Sequence, residues 1–164
     1  MQQLHDAGFT RRGGHLVCTY FDENCLGLVP AEQVEGLYSC LDYYQDASDP
    51  FSKELLGRYD ESYPGSAMFT GGSACSGLYR GIRLWEAAVR EAGVLDQDAV
   101  IQALDHAKIA VGPGGPAEMV PGQHHVRMNM YIAQVRQGAL QIVKSVGVVD
   151  PDEQIVDERP AVTA

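Results

Sequence analysis

Apolar residues recur along this chain with two distinct periods. Between residues 73 and 93, Leu78, Ile82, Trp85 and Val89 follow one another at spacings of four, three and four, the mark of an amphipathic helix. Glu86 and Arg90 form an i,i+4 pair beside that stripe, and Gly93 suits the position just past a helix end. Phe51, Leu55, Tyr59 and Tyr63 repeat every four residues along a second helix. Asp49 is its natural N-cap, Pro50 suits its first position, and Pro64-Gly65 stops it. A third helix opens at Asp96 and runs over residues 97–107, with Val100, Ile101 and Leu104 on one face. Residues 2–7 read as the last turns of a helix closed by Gly8. Both long stripes need a sheet to cover.

Other stretches read as strands. Residues 16–21, LVCTYF, are rich in β-formers, and a second run follows at residues 36–44, GLYSCLDYY. Residues 125–135 and 139–146 predict a hairpin whose short loop, Arg136-Gln137-Gly138, places Gly where positive φ is wanted. Between helices and hairpin lies GPGGP, residues 112–116; its prolines remove N–H donors and no Gly-Lys-Ser/Thr follows, so it predicts a rigid turn and not a phosphate loop. The acidic, Pro-containing tail from Val149 onward is expected to be loose.

Charge and composition then remove whole classes of function. A net charge of −10 and pI near 4.8 argue against nucleic acid, because phosphate contacts need Lys and Arg. No run of about 18 apolar residues exists to span a membrane, and the polar start MQQLHDAGFTRRGG has no signal-peptide core. Cys18, Cys25, Cys40 and Cys75 form no CxxC pair and match no zinc spacing, so all four read as structural. His124-His125 opens a strand, where neighbours point to opposite faces and do not chelate one metal. GGSACSG lacks the G-x-S-x-G spacing of a nucleophile elbow, and no spacing pairs Cys75 with a histidine base. The sequence therefore predicts no catalytic residue, no metal site and no cofactor.

Two stretches carry candidate binding chemistry. Asp22-Glu23-Asn24 follows the run LVCTYF, and open α/β sheets bind ligands beyond strand ends. Asp22 equally suits the cap of a helical turn over residues 23–28, and the two roles are compatible. Gly71-Gly72 leads into the long helix, whose first N–H groups can meet a small polar ligand or be capped by Ser73 or Ser76.

The order of these pieces carries a resemblance. A strand, the cluster TYFDEN, then EGLYSCLDYY, DPFSKELLGRYDESYPG, SGLYRGIRLWEAAVREAG, QDAVIQALDHA, GPGGPAEMV and QHHVRMNMYIAQVRQGALQIV together resemble the type I periplasmic binding proteins. These are the branched-chain amino acid, amide and urea receptors of ABC importers, and TYFDEN with the chain's ending look nearest to the amide and urea branch. The likeness runs over residues 1–146.

This resemblance implies an α/β fold, the C-terminal portion of a two-lobe receptor, incomplete and ending in a β-hairpin. It places residues 1–44 in the C-terminal lobe, 45–120 as a helical part of the N-terminal lobe, and 121–148 back in the C-terminal lobe, with 149–164 as a tail. It implies a solute-binding component and not an enzyme, taking a small amino acid, amide or urea-like ligand between lobes whose closure signals to an ABC permease. Tyr20, Phe21, Asp22 and Glu23 would face the cleft from one lobe, and Phe69, Thr70 and Ser73 from the other. Tyr79 matches a recurrent helix tyrosine that packs. The implied location is periplasmic; with no signal peptide in this chain, a cytoplasmic amide-sensing regulator is a second reading, and a truncated remnant or interaction module without ligand binding a third. Because the strands kept here belong by resemblance to the lobe opposite the stripes, the isolated chain is expected to be marginally stable or to self-associate through its helix faces.

Overall fold

The computed structural model describes residues 1–64 and 72–151. In chain order its elements are α1 (Gln2–Asp6), β1 (Val17–Cys18), the short helices α2 (Glu23–Leu26) and α3 (Ala31–Val34), and β2 (Tyr38–Leu41). Then come α4 (Pro50–Ser62), α5 (Ser73–Ala92), α6 (Gln97–Leu104), β3 (Lys108–Ile109), β4 (Ala117–Val120), β5 (His125–Arg136) and β6 (Ala139–Val149).

One strand organises the sheet. The N-terminal half of β5 pairs antiparallel with β4, Met128 opposite Ala117 and His125 opposite Val120. Its C-terminal half pairs antiparallel with β2, from Leu41 opposite Tyr131 to Tyr38 opposite Gln134. β6 runs along the other edge for nearly the whole length, from Arg136–Ala139 to Met128–Val149. β1 extends the sheet parallel to β2, and β3 extends it antiparallel to β4. The β5–β6 hairpin thus joins two groups of elements that meet nowhere else in the sheet.

Local chemistry accounts for the joints. Gln137 and Gly138 have φ of 54° and 74°, the left-handed pair that a two-residue hairpin loop requires. Glu35 closes that loop from outside, its carboxylate oxygens accepting from Gln137 N at 3.0 Å and Gly138 N at 3.4 Å. Asp49 caps α4 through Ser52 N at 2.9 Å, Asp96 caps α6 through Ala99 N at 3.0 Å, and Gly93 ends α5 at φ 68°. The strands at 16–21 and 36–44 are shorter than the sequence predicts. Only Val17–Cys18 and Tyr38–Leu41 find ladder partners, and Phe21 and Tyr44 are spent on the core beyond the strand ends.

Two apolar clusters follow from this layout. The first holds Leu16, Phe21, Leu26, Val34, Leu37, Leu41 and Tyr44 against Ala133, Val135 and Leu140 of the hairpin. The second packs Leu84 and Ala88 of α5 against Ala103 and Ala107, with Met119 and Val126 of the sheet beneath.

The stripe predicted to bury α5 is instead its outer face. Leu78 is 67% exposed, Ile82 55% and Trp85 53%, whereas Ser73, Ser76, Arg80, Leu84 and Ala88 point inward. Polar anchors at the start of the helix set its rotation, and small Ala88 lets its far end approach α6. The aromatic stripe of α4 is likewise only partly covered. Phe51 packs on Tyr79 with ring centroids 5.5 Å apart, giving Tyr79 the packing role expected of it, while Tyr63 is exposed.

Candidate functional site

Between the two apolar clusters lies a polar junction, and acids build most of it. Asp22 leaves β1's side of the sheet and caps α2, its Oδ1 accepting from Asn24 N at 3.0 Å and Cys25 N at 3.1 Å. Its second oxygen reaches across 51 positions of sequence and accepts from Ser73 N, the first residue of α5, at 3.2 Å. The carboxylate is therefore both a local cap and a cap supplied from a distance. Gly72 makes this approach feasible, since a Cβ there would lie 2.0 Å from Asp22 Oδ2.

Asp42, just past β2, takes the next positions of the helix. Ser73 Oγ donates to one of its oxygens and Ser76 Oγ to the other, each at 2.8 Å. Arg80, one turn further along, forms an ion pair with the same carboxylate and donates to Ser76 Oγ at 3.0 Å. Ser73 and Ser76 thus donate from inside the helix, where the sequence suggested they would accept as caps. The N-cap residue itself is Gly72, which has no side chain to offer. Burial lowers the Arg80 guanidinium to about 10, still well above neutrality, and nearby Tyr131 works against that shift.

The GPGGP turn supports the junction from below. Gly114 lies so close to the Asp42 carbonyl that a Cβ would sit 2.3 Å from its oxygen, and its φ is 76°. Its N–H donates to Ser52 Oγ at 3.0 Å; its carbonyl accepts from Asn129 Nδ2 at 2.9 Å and Tyr131 Oη at 2.8 Å. Strand β5 and helix α4 are thereby tied to the point where β2 meets α5.

The predicted site residues are distributed unevenly over this ground. Asp22 and Ser73 meet directly at the start of α5. Glu23 is buried beside them, with Oε1 accepting from Gln45 N at 2.8 Å, and burial raises its carboxyl above the usual carboxylate range. Phe21 lies in the first apolar cluster, and Tyr20 is exposed. Phe69 and Thr70 lie outside the described residues. Sequence reasoning missed Asp42 and Arg80. An acid closing a strand and an arginine on a helix's expected polar face carry no local sign that they will pair.

Other chemistry is sparse. Among the described residues, no group of three or more His, Cys, Asp or Glu is placed to hold a metal ion, and no helix is long and apolar enough to cross a membrane. The four cysteines are free; Cys75 is exposed on the first turn of α5, outside either core, unlike the structural place expected for it.

Comparison with known proteins agrees with this architecture. Residues 1–139 match the family model for periplasmic binding proteins, and the chain belongs to that family. Among solved structures it is similar to an ABC-transporter solute-binding protein from Rhodopseudomonas palustris BisB5 in complex with 3,4-dihydroxybenzoic acid. There the TM-score is 0.76 at 22% identity, over 92% of this chain and 42% of that one. The leucine-binding protein LivK from Thermotoga maritima gives 0.69 at 19% identity, over 88% and 40%. An amino acid ABC-transporter substrate-binding protein from Pseudomonas fluorescens Pf-5 gives 0.73 at 17%, over 92% and 41%. The chain therefore has a partial periplasmic-binding-protein fold, spanning about two fifths of the length of the structures it matches. No match was found among curated proteins.

Proposed function

We propose that this chain is the solute-binding component of an ABC importer, acting outside the cytoplasm. In this reading it holds a small amino acid, amide or urea-like solute where β2, α5 and the TYFDEN turn converge. The observation that carries the reading is the polar junction itself: in a fold shared with solute receptors, buried Asp22, Asp42, Ser73, Ser76 and Arg80 gather between two apolar clusters. Closing such a junction around a solute, and opening it again, is the kind of hinge motion by which a receptor reports to a permease. Solute-binding relatives of known structure support the reading by fold alone.

A thermal-shift and calorimetric panel of leucine, acetamide, urea and benzoate on the purified chain tests it. A ligand at 100 times its Kd stabilises the folded state by about 2.7 kcal/mol, enough to move the melting temperature by several degrees. Replacing Asp22 and Glu23 together with Ala should weaken binding by ~1–3 kcal/mol if one of them holds a buried hydrogen bond to the solute. Unchanged affinity in that double variant would reduce both to a capped turn. Absence of any shift or heat across the panel would overturn the receptor reading.

A further inference from the structure

The open end of the sheet carries a concavity on the face opposite α5 and α6. Met119 of β4 and Val126 of β5 pack into the α5–α6 cluster. Side chains alternate along a strand, so their neighbours Glu118 and Arg127 belong to the other face, with Lys108, which the ladder sets opposite Glu118. A cavity of about 480 Å³ opens beside these three residues, within the roughly 300–1,000 Å³ usual for small-molecule sites. Its remaining lining is apolar: Ala110, Pro116 and Val148 form walls, and Ile109 and Ala117 lie beneath them. None of the lining residues belongs to the polar junction around Asp22 and Asp42.

The charges at this cavity decide what it suits. Glu118 Oε1 accepts from Arg127 Nη1 at 2.9 Å, and Arg127 Nε also donates to Asp150. Arg127 is therefore committed to two carboxylates, and Glu118 to Arg127. Lys108 is exposed and makes no ion pair among the described residues. An exposed lysine by itself is usually only a solvated charge. Here it is the one uncommitted charge bordering an apolar cavity of ligand size. Apolar walls favour an apolar body, and a free ammonium at the edge favours an anionic head.

We propose that this cavity is a second small-molecule site, separate from the junction, and that it takes a small apolar carboxylate. The hydrocarbon body lies against Ala110, Pro116 and Val148, and Lys108 Nζ donates to the carboxylate. The site stands apart from the receptor reading, since no junction residue takes part in it.

The test uses the full chain and three probes that share one body and differ in the head: cyclohexanecarboxylate, cyclohexylmethanol and cyclohexylmethylamine. Calorimetry measures their affinities, and backbone amide shifts in NMR spectra locate the binding. Expected for the wild type is saturable binding of the carboxylate, at least about tenfold tighter than the alcohol or the amine, with shifts centred on β3, β4 and Val148. Lys108→Met should weaken the carboxylate about tenfold and leave the alcohol unchanged, and Lys108→Glu should turn the preference toward the amine. Val148→Glu, which sets a negative charge in the wall, should abolish carboxylate binding. Both substituted positions are exposed, Val148 to 58%, so all three variants should melt close to the wild type. No saturable binding of the carboxylate, equal binding of the three probes, or full carboxylate affinity in Lys108→Met overturns the proposal. Amide shifts centred on the start of α5 also overturn it, because they assign the carboxylate to the junction and leave the receptor reading standing.

Discussion

The two halves of the β5–β6 hairpin carry cores of different make. Around β2 and the hairpin's turn end, large side chains fill the interior: Leu37, Val34 and Tyr44 are fully buried, with Leu41 and Leu16 beside them. Around β4 and the open end, the buried set is Leu84 with Ala88, Ala103 and Ala107. The first region closes on itself by burying bulk against a sheet. The second closes by close approach of small residues, and it turns Leu78, Ile82, Trp85 and Leu95 outward. Hydrophobic burial scales with the area removed from water, so the first region contributes more of its own stability. The second depends more on its attachment, which is the β4–β5 ladder together with the buried polar junction that holds the start of α5.

The sharpest way to break this comparison is to cut the attachment. Arg80→Ala leaves Asp42 buried without its counter-ion, which typically costs 3–5 kcal/mol, a large part of the roughly 5–15 kcal/mol available to a domain. Urea unfolding should show the loss, and replacing both partners by apolar residues of similar volume should recover much of it. A single variant as stable as the wild type would show that α5 is held by its packing instead.

Next in size are paired core truncations. Leu37→Ala and Leu84→Ala should each cost about 2–5 kcal/mol. Their reach is expected to differ: Leu37→Ala lowers protection from hydrogen exchange throughout, whereas Leu84→Ala first releases amides of α5 and α6. Uniform loss of protection in both would mean that the two regions unfold as one unit.

A smaller effect is expected from pH. Burial raises the Glu23 carboxyl, so the native state keeps that proton after the unfolded chain has released it. In that window the native state binds more protons, and stability falls as pH rises from the ordinary carboxylate range through the raised value, then levels off. Other carboxylates titrate nearby, so the quantity to measure is the difference between wild type and Glu23→Gln. That difference should change in this window and be flat above it; a flat difference throughout would place Glu23 in a more polar setting than its burial indicates.

The smallest folding effect belongs to the exposed face. Ile82→Lys with Trp85→Ser should change stability within about 0.5 kcal/mol per site, as at other exposed positions. The same double variant should move any concentration-dependent sedimentation toward the monomer, because contiguous exposed apolar side chains favour association. A melting loss of several kcal/mol would show that these side chains are covered in solution.

What the sequence determined by itself is the set of elements governed by neighbours in the chain. Asp49 and Pro50 start α4, Asp96 starts α6, and Gly93 ends α5. Gln137-Gly138 turns the hairpin, and the glycines of GPGGP turn below Asp42. Caps and turns are satisfied within a few residues, so their chemistry is local and readable. The ordered series of motifs also carried the family. Tertiary structure alone decided which face of α5 is inward. Periodicity shows that a helix has an apolar stripe, but a helix rotates to serve its strongest partners, and here these are Asp22 and Asp42, which come from 51 and 31 positions away to meet Ser73. It also decided that β5 serves two groups of strands at once and that Asp22 caps two helices. Such pairings depend on which distant backbones end at the same place, and the spacing of residues along one chain carries no record of that.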